Sequence, residues 1–198
     1  MICYFIVSNI VVFLLWLVLF RPYSVHPHVD YAALATFDLA PSGSAGGAGN
    51  DLRYDLALNL TFFTDKFPLN ETFLKDQFDY AISFNHLTVG LYYNGSKIGP
   101  SDDTFQSFYQ LPQQQHTIQP KLQGQASNVS SAVAEAFATE RMNGWFNVDV
   151  RVKTTLTYRS WPYRATYYYE YDCLLRFRAP VANGTPAVTR GVKCSVSN

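Results

Sequence analysis

The chain has 198 residues, with 15 basic and 15 acidic side chains and a formal net charge of zero. Neutrality argues against nucleic acid as a partner, because nucleic acid selects a basic footprint. The chain also lacks the juxtamembrane cluster of Lys and Arg that anionic lipid selects.

The first element is residues 2–20, ICYFIVSNIVVFLLWLVLF, which carry no charge. As a helix rising ~1.5 Å per residue, this run matches a hydrocarbon core ~30 Å thick. Ser8 and Asn9 can be satisfied within the helix or against a neighbouring one. The run is therefore expected to be an uncleaved transmembrane anchor. A cleaved signal peptide is the competing reading. Against it, the run has no basic n-region, exceeds an h-region of ~7–15 residues, and ends in Phe20-Arg21-Pro22 instead of small residues. Only Met1 precedes the span, so a cytosolic tail carrying orienting charges is expected upstream. Cys3, at the start of the run, reads as a small buried hydrophobe, with palmitoylation as the alternative.

Residues 21–28 read as a juxtamembrane segment and 29–198 as one domain. Period-two alternation dominates the domain. Strands are expected over 29–39, 52–62, 87–93, 117–123, 145–158, 167–177 and 188–196. The clearest is 145–158, where Phe146, Val148, Val150, Val152, Thr154, Leu156 and Tyr158 alternate with polar residues. Residues 41–50, PSGSAGGAGN, form a flexible loop. Asn94-Gly95, following LTVGLYY, favours a type I′ hairpin. One segment has helical spacing: Val129, Ala132, Val133, Ala136 and Phe137, stopping near Gly144, with Ser127 or Asn128 to cap its start. The expected class is all-β, an antiparallel β-sandwich with one short helix behind a single transmembrane helix.

Arg21 weakly favours a cytosolic domain by the positive-inside rule. Glycosylation sequons argue the other way. They occur at Asn59, Asn70, Asn94, Asn128 and Asn183, all beyond the apolar run, whereas composition predicts roughly 1.5 by chance. Asn94-Gly95 and Asn183-Gly184 are turn dipeptides. Asn59 lies on the polar face of its strand, opposite Leu52, Tyr54, Leu56, Leu58, Leu60 and Phe62, so a glycan there projects away from the core. The domain is thus expected outside the cytosol. In that compartment its only two cysteines, Cys173 and Cys194, are expected to form a disulfide.

The order of the segments resembles the plant harpin-induced-like and non-race-specific disease resistance family, whose domain is also called late-embryogenesis-abundant group 2. Leu19-Phe20-Arg21-Pro22 resembles its membrane-exit motif, and Phe37-Asp38-Leu39 the end of its first strand. Phe84-Asn85-His86-Leu87 and the run Leu91-Tyr92-Tyr93-Asn94-Gly95-Ser96-Lys97-Ile98-Gly99 resemble its Y-D-x-L…Y-x-G-x-x-I/L-G core. Phe108-Tyr109-Gln110 sits where the family has F-Y-Q, and Cys173 and Cys194 close the pattern. The family's N-P-N turn is not present between Asn59 and Phe84, where the chain looks longer and reworked. The resemblance implies a sandwich like immunoglobulin and fibronectin type III domains, held outside the plasma membrane by a single span. It also implies a role in defence or stress responses, with plasmodesmata as one address and no catalytic activity.

No residue pattern points to an enzyme, a metal or a cofactor. His26, His28, His86 and His116 lack metal-ligand spacing, and no nucleophile elbow, P-loop, zincin or dinucleotide motif is present. Asp102-Asp103 reads as loop polarity. The most unusual local feature is Tyr167-Tyr168-Tyr169-Glu170-Tyr171. On a strand, Tyr167, Tyr169 and Tyr171 share one face and Tyr168 takes the other. Either the rings pack across a sandwich, or they form a platform for sugar rings or a protein partner. The expected function is a membrane-anchored extracellular interaction protein with an unidentified protein partner. The alternative is a module, anchored or secreted, that binds cell-wall polysaccharide.

Overall fold

The computed structural model describes residues 2–19, 25–41, 50–64, 81–99, 103–111, 114–160, 163–179 and 185–197. The protein is mostly β, with two antiparallel sheets and few helices. Its elements are α1 (Ile2–Leu19), β1 (Val25–Pro41), β2 (Asn50–Thr64), β3 (Ala81–Tyr93), β4 (Ser96–Lys97), β5 (Asp103–Phe105) and β6 (Phe108–Gln110). They continue with β7 (Gln115–Ile118), β8 (Lys121–Val129), α2 (Ser131–Asn143), β9 (Trp145–Ser160), β10 (Tyr163–Arg178), β11 (Ala187–Lys193) and β12 (Ser195–Val196).

The described side chains of α1, residues 4–14, are all exposed. Among the described residues no helix is long and apolar enough to cross a membrane. The expected span over 2–20 is therefore not shown.

Sheet I has the order β11-β1-β2, with β7 and β8 both pairing along the far edge of β2. Sheet II has the order β12-β10-β9-β3, with β4, β5 and β6 sharing the far edge of β3. The long strands arise from alternation, but not from unbroken alternation. In β1 the inward set is Val25, Val29, Ala32, Leu34 and Phe37, and register shifts between Val29 and Tyr31 and between Leu34 and Thr36 absorb the odd steps. Each bulge adds one residue and returns the apolar side chains to the core. β1 begins at Val25, so residues 25–28 of the expected juxtamembrane segment instead pair with 61–64 of β2. β3 behaves in the same way. Ile82 and Phe84 point inward, a shift at Asn85–Thr88 with His86 at φ 50° flips the parity, and Leu87, Val89, Leu91 and Tyr93 then point inward.

Two further expectations are corrected. The strand expected over 117–123 is split by Pro120 into β7 and β8, and the Leu58 amide donates to the Pro120 carbonyl at 3.1 Å. The helix is capped by Ser130, not Ser127 or Asn128, with the Val133 amide donating to its hydroxyl at 3.4 Å. Val129 still pairs with Asn50, which keeps 127 and 128 in β8. Gly144, at φ 74°, closes the other end of α2, as its freedom from a Cβ permits. Asn94 and Gly95, at φ 47° and 73°, make the two-residue β3–β4 turn.

The inner faces of the two sheets meet through aromatic rings. Phe37 of β1 contacts Tyr93 of β3 at 5.1 Å, Phe146 of β9 at 5.0 Å and Phe137 of α2 at 5.6 Å. Phe62 of β2 contacts Phe84 of β3 at 5.1 Å. Glu140 fastens α2 to sheet II by accepting hydrogen bonds from the Tyr93 hydroxyl at 2.8 Å and the Asn147 amide at 3.1 Å. Burial, reinforced by that carboxylate, holds the Tyr93 hydroxyl well above the usual tyrosine range, so the donor stays protonated.

The domain therefore has two distinct tips. At one, β1 starts opposite Thr64, β3 opposite Arg159, and the β9–β10 hairpin turns between Ser160 and Tyr163. The Gln110 amide joins the sheets there by donating to the Phe62 and Gln114 carbonyls, at 3.2 and 2.5 Å. The other tip carries α2, the Asn94 turn and Trp145.

The chain crosses from sheet I to sheet II at Cys194, between β11 and β12. Its amide donates to Pro27 of β1 at 3.1 Å, and its sulfur is bonded to Cys173 of β10, with Cα atoms 4.3 Å apart. The disulfide thus clamps the sheet crossing.

Candidate functional site: the tyrosine strand

β10 is antiparallel to β9 along its whole length, with Tyr163 opposite Ser160 and Arg178 opposite Trp145. Tyr171, Cys173, Leu175 and Phe177 point into the core. Period two then carries Tyr167 and Tyr169 onto the same inner face, and Tyr168 onto the outer one. The inner tyrosines form a ladder. The Tyr171 and Tyr169 rings stack at 5.9 Å, Tyr169 and Tyr167 are 6.3 Å apart, and Tyr158 of β9 meets Tyr167 edge-on at 5.7 Å. Exposure rises along it from 1% at Tyr171 to 37% at Tyr167. The ladder emerges from the core at the tip where β1 starts. Burial, with Tyr169 alongside, raises the Tyr158 and Tyr171 hydroxyls above the ordinary tyrosine value. These groups are neutral hydrogen-bonding groups at physiological pH.

The outer face of sheet II is polar. Register places Tyr168 beside Thr155 and Asn85, and Thr166 beside Thr157, Ser83 and Tyr109. Members of these rows bond to the buried Thr157: Asn85 donates to it at 3.2 Å, and Thr157 and Thr166 share a hydrogen bond of 3.1 Å. Tyr168 and Tyr109 stand above them, each 63% exposed, and the Arg159 guanidinium lies 5.5 Å from the Tyr109 ring centre. Further along, Arg151 lies 3.2 Å from Asp172 and 4.2 Å above Tyr92, while Lys153 and Glu170 are 3.6 Å apart. Asp149 sits among these charges. Burial, then the nearby Asp172, push its carboxyl above the usual range, against the pull of Arg151.

Of the other expected site residues, Cys173 and Cys194 are joined. Asn94 is exposed, and its side-chain amide donates to the Ala132 carbonyl at 3.2 Å. Asn128 is exposed at the same tip, with φ 55°. Asn59 is half-buried on the outer face of sheet I, and the Thr61 of its sequon is buried, donating to Asp30. Asn70 and Asn183 lie outside the described residues. Phe108-Tyr109-Gln110 divides its work. Phe108 stacks between Phe84 and His116, at 4.5 and 3.8 Å, Gln110 joins the sheets, and Tyr109 alone is presented to solvent. From the sequence Tyr109 stands out only as part of Phe108-Tyr109-Gln110, and Arg159 and Arg164 do not stand out at all. A signal for the arginines was available in Arg159-Ser160-Trp161-Pro162-Tyr163-Arg164, where turn chemistry sets two like charges symmetrically about a bend. His28 lies 3.8 Å from Asp30. Among the described residues no group of three or more His, Cys, Asp or Glu side chains is placed to hold a metal ion.

No family model and no curated protein matches the chain. Among solved structures it is similar to a crystal structure of a protein from Archaeoglobus fulgidus, with 13% identity and a TM-score of 0.32, over 75% of this chain and 98% of that one. A likeness at that level carries no functional inference.

Proposed function

We propose that the chain is a membrane-anchored binding protein of the plant cell surface, acting in defence or stress signalling by contact and not by turnover. α1 is its single plasma-membrane span, and the domain, an immunoglobulin- or fibronectin-III-like sandwich outside the cytosol, meets a protein partner. The observation that carries this reading is the Cys173–Cys194 bond behind an apolar helix. Structural disulfides persist in oxidising compartments, and the sequons beyond α1 agree with that side. The resemblance to the harpin-induced-like family supplies the defence or stress context.

The test is expression in a glycosylating host. The expected result is retention in the membrane through alkaline carbonate, with a ladder of bands that collapses on deglycosylation. A single band at the unmodified mass, with both domain cysteines open to alkylation, would refute it.

The second reading is a module for cell-wall polysaccharide, favoured by the exposed Tyr168 and Tyr109 on one sheet face. Binding on a glycan array that is lost in Tyr168→Ala would favour it over the protein partner.

A further inference from the structure

The tip at which β1 begins holds a surface that the preceding reading leaves without a role. Arg159 and Arg164 are directly opposed across the β9–β10 pair. Both are exposed, and neither takes part in an ion pair among the described residues. Like charges in that position repel, a cost that the contact of Arg159 with the Tyr109 ring offsets for one member of the pair alone. An anionic ligand would relieve the repulsion. Beside them stand Tyr109, whose ring faces Arg159, and Leu111, 50% exposed. Among the described residues, those that close this tip, Ala81, Gln110, Gln114 and Gln115, include no carboxylate. An arginine pair edged by a tyrosine and a leucine suits a lipid interface, where phosphate meets acyl chain.

Position singles out the occupant. Only residues 20–24 separate Leu19 of α1 from Val25 of β1. Fully extended, that connection reaches roughly 20 Å. If α1 spans the bilayer, this tip cannot leave the headgroup region by more than that, so the membrane is present at high effective concentration.

We infer that this tip docks on the lipid surface, with Arg159 and Arg164 on headgroup phosphates and Leu111 and Tyr109 at the acyl boundary. The inference rests on the anchor reading of α1. The basic cluster that the juxtamembrane sequence lacks is assembled by the fold from the two sides of a hairpin.

The experiment uses the full chain with Cys3→Ala, reconstituted in phosphatidylcholine vesicles containing phosphatidylserine and a shallow nitroxide-labelled lipid. An environment-sensitive fluorophore is attached at Leu111→Cys, and in a second sample at Met142→Cys, which is exposed on α2 at the opposite tip. Docking predicts quenching at 111 and none at 142. In the Arg159→Glu/Arg164→Glu double variant the ratio of docked to undocked chains should fall roughly thirtyfold or more, which is about 1 kcal/mol for each of the two basic residues near an anionic surface. Vesicle flotation reads the anchor separately. A floating chain whose 111 label is as unquenched as its 142 label overturns the docking alone. A chain that fails to float overturns the anchor and the docking together. Quenching at 111 that survives the double charge reversal overturns the arginine assignment.

Discussion

The disulfide offers the sharpest test of how this domain is held together. Cys173 is fully buried in β10, and Cys194 is the hinge at which the chain leaves sheet I for sheet II. The sequence separation is 21. A closed loop of that size restricts the unfolded chain by about 3 kcal/mol on the chain-entropy model. For a domain of this length, 1 kcal/mol shifts the midpoint by about 2–4 °C, so Cys173→Ser and Cys194→Ser should each lower Tm by roughly 6–12 °C. The double variant should be no less stable than the worse single one, because both changes remove the same cross-link. The loss should be concentrated at the end of the chain. β12 is held to β10 by a short ladder at Tyr171 and Asp172 and by the Ser197 amide donating to the Glu170 carbonyl at 2.8 Å, so without the bond it is expected to fray first. The assay is thermal unfolding of the detergent-solubilised chain with and without reductant, paired with non-reducing peptide mapping. Single variants whose Tm losses add, or a reductant-insensitive wild type with two alkylatable thiols, would refute the reasoning.

Three other substitutions probe separate parts of the fold. Phe37→Ala removes the ring that touches both sheets and α2, and should cost about 3–5 kcal/mol, read as a lower denaturant midpoint. Gly124 lies under Tyr54, and a Cβ there would come within 2.6 Å of the tyrosine hydroxyl. Gly124→Ala should therefore destabilise by about 1–3 kcal/mol, and adding Tyr54→Phe should recover part of the loss. Asp149 has a folded-state pKa above its unfolded one, so the folded protein holds its proton more tightly, and stability falls as pH rises through the interval above the ordinary carboxylate value. Asp149→Asn should stabilise the chain at neutral pH, with the gain shrinking as pH drops below that interval. A gain that persists unchanged in acid would show that charge is not the cause.

How much of this was legible depended on whether local pattern and global register agree. β9 alternates without interruption, and its expected and observed extents nearly coincide. The Asn94-Gly95 hairpin was legible because the turn conformation is written in two residues. The first half of β3 was not, because the bulge at Asn85–His86 flips the parity of the apolar positions, and a period-two reading sees two unrelated fragments. The two bulges of β1 hide its periodicity in the same way. The helix cap was displaced because the pairing of Val129 with Asn50, 79 residues earlier in the chain, extends β8 past the expected capping residues. For the candidate site, period two correctly separates Tyr168 from Tyr167, Tyr169 and Tyr171. It cannot say which end of the ladder is covered. Exposure of Tyr167 and burial of Tyr171 follow from where β11 and Cys194 cross, a property of topology. The proximity of Tyr109 to Arg159 depends on β6, β3 and β9 lying side by side, which no local signal encodes.

The placement of the sequons bears on where a partner would approach. Asn94 and Asn128 lie at the tip that carries α2, and Asn59 lies on the outer face of sheet I. β1, at 17 residues and ~3.3 Å per residue, sets the α2 tip about 55 Å along the strand from the start of the domain. If these three asparagines carry glycans, the sugar shields the remote tip and one sheet face. Among the described sequons none lies on the outer face of sheet II. That face holds Tyr168, Tyr109 and the Arg151–Asp172–Glu170–Lys153 charges, and it meets the arginine pair at the tip nearest α1. A face that holds no described sequon, is rich in aromatic rings and is edged by charge has the composition of a protein contact surface. A glycan on Asn59 and the binding surface would then occupy opposite faces of one sandwich, with Asn94 and Asn128 at its remote tip, and a partner would have to approach sheet II from the side.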